Sequence, residues 1–100
     1  MKKILAIILA VMMLIPSFAM AENVVKIGVF EPASGDSGAG GKQEILGMQY
    51  ANKVQPTVMI GDTEYTVQLV YADNASSTDK APSAASELVN QGVSVVLGSY

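Results

Sequence analysis

The hydrophobic positions change their spacing at about residue 22. Before it, residues 4–21 form one uncharged run behind two lysines, with a strongly apolar part that ends at Ile15 and a break at Pro16. A basic start, a short apolar stretch and a small-x-small ending, here Ala19-Met20-Ala21, are the parts of a secretory signal peptide. The apolar part is shorter than the ~20 residues that cross a bilayer, which argues against an uncleaved membrane anchor.

The small-x-small ending also places the cleavage site. We predict a signal peptide over residues 1–21 that is cut between Ala21 and Glu22, leaving a mature chain over residues 22–100. The sequence contains no cysteine that could carry a lipid at this position. The exported product is therefore expected to have no stable membrane anchor after cleavage.

Short apolar runs at strand length recur along the mature chain. Val24–Phe30 predicts a strand that is buried on both faces. The runs Thr57–Ile60 and Glu64–Tyr71 are rich in β-branched and aromatic residues, and the Gly61-Asp62 dipeptide between them predicts a β-hairpin. The second arm of this hairpin is long enough to continue into the main sheet. Val93–Gly98 predicts the last strand.

Two segments between these strands have helical spacing. The first begins near Gly40 and stops at Pro56. Leu46, Tyr50 and Val54 recur every four residues, so we expect this face to pack on the sheet. A glycine on the same side of the helix, Gly47, indicates that the helix backbone lies close to the sheet there.

The second helical segment is rich in alanine. Its expected inward positions, at i, i+3, i+4 and i+7, are Ala81, Ala84, Ala85 and Leu88. With Asp79 as the N-cap, Pro82 would be the third helical residue, where no intrahelical donor is lost. Gly92 lies where a C-terminal cap is expected.

The order of elements predicts the fold class. Strand, helix, hairpin, helix and strand follow one another along the chain, and strands that alternate with helices form βαβ units with a parallel sheet. We therefore predict an α/β fold, an incomplete βαβαβ parallel sheet with an inserted β-hairpin.

The composition excludes several classes of function. The 100 residues include six lysines, nine acidic residues and no histidine or cysteine, for a net charge of −3. A nucleic-acid partner is not expected, because phosphate contacts need clustered basic residues. We also predict no metal and no cofactor, since thiolate and imidazole ligands are absent and the carboxylates are scattered. No Ser/His/Asp or Cys/His set and no close carboxylate pair is visible, so an enzyme is not predicted.

A glycine-rich stretch, "SGDSGAGGKQ", occupies residues 34–43 between the first strand and the first helix. Gly41-Lys42 could belong to a phosphate loop, but Asp36 and Gln43 stand where that motif needs a glycine and a hydroxyl. The dinucleotide motif fails at Gln43 as well. Two readings stay open: a surface loop without a ligand, and a site for a small polar molecule.

The predicted topology indicates where a site for a small polar molecule would lie. In open α/β sheets, ligands bind beyond the carboxyl ends of the strands, where the strand order reverses. The loops 31–41 and 98–100 flank that point. Candidate ligand-binding residues there are Ser34, Ser37 and Ser99, although Ser37 could instead cap the first helix and Ser34 could instead stabilise the turn.

Three stretches of the mature chain, covering most of residues 24–100, resemble the periplasmic leucine/isoleucine/valine-type substrate-binding proteins of ABC transporters. They are "VVKIGVFEPASGDSGAGGKQEILGMQYAN", "VQLVYADNASS" and "AASELVNQGVSVVLGSY". The positions that carry the resemblance are Pro32, Ser34-Gly35, Gly41, Gly47, Asp73 and the strand ending Val95-Val96-Leu97-Gly98. The hairpin turn at Gly61-Asp62 is longer than the glycine turn common in the family.

The resemblance implies a function. Residues 22–100 would be the N-terminal part of lobe 1, of type I, in a two-lobed periplasmic receptor. Such a receptor closes on an amino acid or similar small solute and docks on the membrane permease of an ABC importer. A ligand-sensing ectodomain of a membrane receptor has the same fold and is the alternative.

The resemblance also implies ligand-binding positions. Tyr100 matches a position that lines the side-chain pocket of the ligand, and Ser99 lies beside it. Gly40 stands where many members of the family carry an aromatic ring. The solute is therefore not fixed by the resemblance.

Overall fold

The computed structural model describes residues 23–100 as four strands and two helices. The elements are β1 (Val24–Glu31), α1 (Gly38–Val54), β2 (Thr57–Ile60), β3 (Thr63–Asp73), α2 (Ala81–Asn90) and β4 (Val95–Leu97). The predicted signal peptide over residues 1–21 and its cleavage site between Ala21 and Glu22 lie outside the described residues.

The strands form one sheet with the order β2-β3-β1-β4. β1 runs parallel to β3, from Val24 opposite Thr66 to Glu31 opposite Asp73, and it also runs parallel to β4. β2 pairs antiparallel with β3 only. The predicted α/β fold, a parallel sheet with an inserted hairpin, is confirmed, and β1 lies between two parallel neighbours.

The hairpin folds where the sequence predicts it. Gly61 takes a φ of +61°, a conformation that costs glycine little. β3 is 11 residues long, and its first residues pair with β2 while Thr66 and the residues after it pair with β1. The second arm therefore continues into the main sheet, as predicted.

The buried apolar core of the described region lies between the sheet and α2. Val70, Ala72, Ala84 and Leu88 form this core, with Phe30 and Val93 packed against it. Ala85 is exposed, so its predicted inward position is wrong. The inward face of α2 consists of Ala81, Ala84 and Leu88, since Ala81 is half-buried and the other two are buried.

The two ends of α2 differ, because the residue at its N-cap position makes no side-chain capping hydrogen bond whereas its C-terminal end has a glycine cap. Lys80 rather than Asp79 is the N-cap, and Pro82 is therefore the second helical residue, where its missing N–H still costs nothing. At the other end Gly92 has a φ of +73°. The Gly92 N–H donates to the Val89 carbonyl and the Val93 N–H to the Leu88 carbonyl. This is the glycine cap expected at Gly92, and it ends the helix so that β4 begins at Val95 instead of Val93.

The packing face of α1 differs from the prediction. Leu46, Tyr50 and Val54 are 57%, 70% and 65% exposed. The helix instead turns Gly41 toward the sheet side, where it is buried. An added Cβ at Gly41 would overlap the Pro32 carbonyl oxygen, which shows that α1 approaches the β1–α1 loop most closely at its first turns.

The prediction of a close approach at Gly47 is also wrong. An added Cβ there would meet no atom within 4 Å. The half-buried apolar residues of α1 are Ile45 and Met48, on a face rotated away from the predicted one. Neither helix of the region 23–100 has the length and apolar character that crossing a membrane requires.

Candidate functional site

A polar cleft of about 310 Å³ lies at the carboxyl edge of the sheet, where β1, β3 and β4 end side by side. Its lining comes from all three strand ends and the loops that follow them. The lining residues are Phe30, Ser37, Asn74, Ser76, Ser77, Thr78, Ala81, Ser99 and Tyr100. This is the edge at which parallel α/β sheets bind ligands.

Asp73, the last residue of β3, ties the first loop of the cleft to the sheet. Its carboxylate accepts hydrogen bonds from the Ala33 N–H (2.8 Å), the Ser34 hydroxyl (2.6 Å) and the Ala75 N–H (2.8 Å). The Ser34 hydroxyl, together with the backbone N–H groups, lowers the pKa of Asp73, and partial desolvation of the carboxylate opposes this shift without reversing it. The two loops are therefore held together by an ionised acceptor.

Ser76 makes a second link between the same loops. Its hydroxyl donates to the Ser34 carbonyl oxygen and accepts the Ser37 N–H, both at 2.9 Å. Ala75 and Ser76 have φ values of 56° and 55°, a strained left-handed conformation for residues with side chains. Gly35 has no side chain to obstruct this approach, and a Cβ there would overlap the Ala75 carbonyl oxygen.

Asn74 connects these loops to the segment after β4. It is 6% exposed, and its side-chain amide donates to the Ser99 hydroxyl oxygen at 2.9 Å. The amide oxygen accepts the Ser76 N–H at 3.1 Å. Because the Ser99 oxygen is an acceptor in this bond, its own proton is available to a ligand in the cleft.

Tyr100 forms the far wall of the cleft and rests on the first turn of α1. A Cβ at Gly40 would overlap the Tyr100 ring. The Tyr100 N–H donates to the Glu31 carboxylate at 2.9 Å. The ring is thus seated on the α1 backbone, and it occupies the space that a side chain at position 40 would need.

The cleft is polar but uncharged. Hydroxyls and one amide provide its hydrogen-bonding groups, and the lining contains no lysine and no carboxylate. Ser37 directly precedes α1, and Ala81 is the first residue of α2, so both helices begin at the cleft. The first turn of a helix has N–H groups without intrahelical partners and a positive dipole end. The arrangement therefore suits a small polar molecule with a negative or carbonyl oxygen.

The predicted site residues fall into two groups. Ser99 and Tyr100 line the cleft together with Ser37, while Gly40 lies under the Tyr100 ring. Ser34 does not line the cleft, since its hydroxyl bonds Asp73. It braces the turn, which is the alternative role given above. Ser37 occupies the predicted N-cap position of α1, but its side chain makes no capping hydrogen bond.

Sequence reasoning missed the contribution of the β3–α2 loop. Asn74, Ser76, Ser77 and Thr78 all line the cleft, although the prediction placed the site only between the loops after β1 and β4. The sequence does contain a signal for this loop, because a mostly polar stretch follows the carboxyl end of β3, which neighbours β1.

Three other cavities of the described region lie away from this edge. One, of about 360 Å³, is lined by Val24, Asn52 and several residues of β3. A depression of about 690 Å³ follows the outer side of α2 near Lys26, whose ammonium group already donates to the Gln91 carbonyl. A groove of about 330 Å³ between α1 and the sheet has a mostly apolar lining that includes Met48 and Leu69. None of the three joins the carboxyl ends of several strands, so the polar cleft is the candidate site.

Comparison with solved structures shows a similar protein. The leucine-binding protein LivK of Thermotoga maritima MSB8 is 33% identical to the chain, with a TM-score of 0.67 over 75% of the chain. The chain corresponds to 21% of the length of that protein. Comparisons with protein-family models and with curated protein sequences give no match. The fold is therefore that of part of a leucine-binding-protein lobe.

Proposed function

We propose that the chain is the N-terminal part of the first lobe of an extracytoplasmic solute-binding protein of an ABC importer. The protein binds an amino acid or similar small polar solute between two lobes and presents it to a membrane permease. The observation that carries this proposal is the hydroxyl-lined cleft at the carboxyl ends of β1, β3 and β4. The similarity to a leucine-binding protein supports it.

The chemistry of the cleft narrows the part of the solute that this lobe contacts. Ser37, Thr78 and Ser99 offer hydroxyls, and the helix starts favour an anionic oxygen. The Tyr100 ring adds an aromatic surface next to these donors. A carboxylate held by the hydroxyls and a side chain that packs on the ring would satisfy both parts of the cleft.

Binding is tested by isothermal titration calorimetry of the full-length secreted protein with the twenty standard L-amino acids. Saturable binding of at least one of them, in the micromolar range or tighter, is the expected result. Absence of saturable heat with all twenty would overturn the amino-acid proposal. Uptake assays in cells lacking the protein then separate an importer, whose loss abolishes uptake, from a sensory receptor, whose loss does not.

Replacing Tyr100 by alanine is expected to weaken binding by about 1–2 kcal/mol, the scale for loss of an aromatic contact that is partly open to water. The ring is 66% exposed in the described region, which keeps the expected loss moderate. Tyr50→Ala is the matched control, since Tyr50 is 70% exposed on α1 and does not line the cleft. Equal dissociation constants for the Tyr100→Ala and Tyr50→Ala proteins would show that the ring does not contact the solute.

Export is a separate part of the proposal. The expected N-terminus of the periplasmic protein is Glu22, because Ala19-Met20-Ala21 satisfies the small-x-small requirement for cleavage. Edman degradation or intact-mass analysis of the protein from the periplasmic fraction checks the position. Recovery of a membrane-bound protein that still begins with Met1 would contradict it.

A further inference from the structure

Glu31 is a buried carboxylate at the end of the central strand. Its side chain is 1% exposed, and one of its oxygens, Oε2, accepts the Tyr100 N–H at 2.9 Å. Its backbone carbonyl accepts the Asn74 N–H at 3.3 Å. The other carboxylate oxygen, Oε1, is buried without a hydrogen-bond partner among residues 23–100.

The segment after β4 lies directly against this carboxylate. A Cβ at Gly98 would overlap the Phe30 carbonyl oxygen and would lie 3.2 Å from Glu31 Oε1. The segment 98–100 is therefore held by close packing at Gly98 and at the Tyr100 ring, and by two hydrogen bonds. The Asn74 amide donates to the Ser99 hydroxyl oxygen, and the Glu31 carboxylate accepts the Tyr100 N–H, which is the hydrogen bond that fixes the backbone of the segment.

Glu44 on α1 is the titratable neighbour of this group. The neighbouring Glu31 carboxyl is the main cause that raises the pKa of Glu44. The raised pKa of Glu44 agrees with a Glu31 carboxyl that lies close to α1.

Burying a carboxylate without a cation is costly, and packing alone would be served as well by an apolar side chain of similar volume. The specific contribution of Glu31 is its acceptor oxygen. We propose that Glu31 is a positioning residue for the cleft: its carboxylate holds the Tyr100 backbone and thereby sets the Ser99 hydroxyl and the Tyr100 ring against the solute. This inference rests on the proposed function.

The test compares two replacements of similar size in the full-length protein. Glu31→Met fills the same space without an acceptor, whereas Glu31→Gln keeps an acceptor oxygen. Affinity is measured for the L-amino acid that the wild-type protein binds most tightly in the panel above. Selective ¹⁵N-tyrosine labelling reports the Tyr100 amide proton, with Tyr100→Phe used for assignment, and needs no ligand.

In the Glu31→Met protein the Tyr100 amide resonance should move upfield and the dissociation constant should rise about tenfold, the scale for a hydrogen bond to a charged acceptor. Glu31→Gln should stay within about threefold of the wild type. The shift of the Tyr100 amide resonance tests the Glu31 hydrogen bond without a ligand. This inference can therefore be checked separately from the proposed function, even if none of the twenty amino acids binds.

Three outcomes would overturn the proposal. One is an unchanged Tyr100 resonance or an unchanged dissociation constant in a folded Glu31→Met protein. Another is a Glu31→Gln protein that binds as weakly as Glu31→Met, since the retained acceptor would then not matter. The third is a Glu31→Met protein that does not fold, which would assign Glu31 to the stability of the lobe and not to the cleft.

Discussion

Replacing Gly41 by alanine is expected to destabilise the protein by about 3 kcal/mol, the upper part of the range for an overpacked site. The added Cβ would overlap the carbonyl oxygen of the buried Pro32 and would lie 2.8 Å from the Pro32 ring carbon Cγ. Neither partner is the free end of a flexible side chain, so relief requires α1 to move away from the end of β1. That movement would also shift Ser37 and the loop that lines the cleft.

Gly47→Ala is the matched control, because it makes the same substitution in the same helix. Gly47 is exposed, and a Cβ there would meet nothing within 4 Å. Only helix propensity changes, so this protein should be more stable than the wild type by about 0.5–1 kcal/mol. Urea denaturation followed by circular dichroism measures both. A Gly41→Ala protein as stable as Gly47→Ala would contradict the close contact between α1 and Pro32.

The same pair of glycines shows what the sequence could predict about α1. The spacing of Leu46, Tyr50 and Val54 correctly indicates a helix, but it does not say which surface covers that face. The orientation is decided where Gly41 meets Pro32, a contact between residues on two elements. Periodicity read along one helix contains no information about such a contact.

Local turn chemistry was more informative. The turn at Gly61-Asp62 and the cap at Gly92 both depend on a residue that tolerates positive φ, and both were predicted from short stretches of sequence. The parallel sheet was predicted from the alternation of strands and helices, because βαβ connections allow few arrangements.

The candidate site was predicted in part. Ser99 and Tyr100 follow from topology and resemblance, since the loop after β4 must lie beside the end of β1. The roles of Asp73 and Glu31 depend on hydrogen bonds between segments about 40 and 69 residues apart, such as Ser34 to Asp73 and Tyr100 to Glu31. No pattern in a single sequence pairs a carboxylate with a backbone N–H at such a separation.

The carboxylate of Asp73 should contribute about 2–3 kcal/mol to stability, because it is the shared acceptor of the two loops. Asp73→Ala removes the partner of the Ala33 N–H, the Ser34 hydroxyl and the Ala75 N–H at once. Asp79→Ala is the control, since Asp79 is exposed and has no hydrogen bond to another residue of the described region. This control should change stability by about 0.5 kcal/mol or less.

The loss of stability caused by Asp73→Ala should become smaller as the pH falls. The Ser34 hydroxyl and the backbone N–H groups lower the pKa of Asp73 in the folded protein below its ordinary value of 3.8. A carboxyl with a lowered folded pKa stabilises the protein above its unfolded pKa, and this contribution is lost as the pH falls through the folded pKa. The stability difference between wild type and Asp73→Ala should therefore be constant from pH 7 to about pH 5 and should shrink below pH 4. Urea denaturation at pH 7, 5, 4 and 3 measures this difference, and a difference that grows toward low pH would show that Asp73 is not the ionised acceptor that joins the two loops.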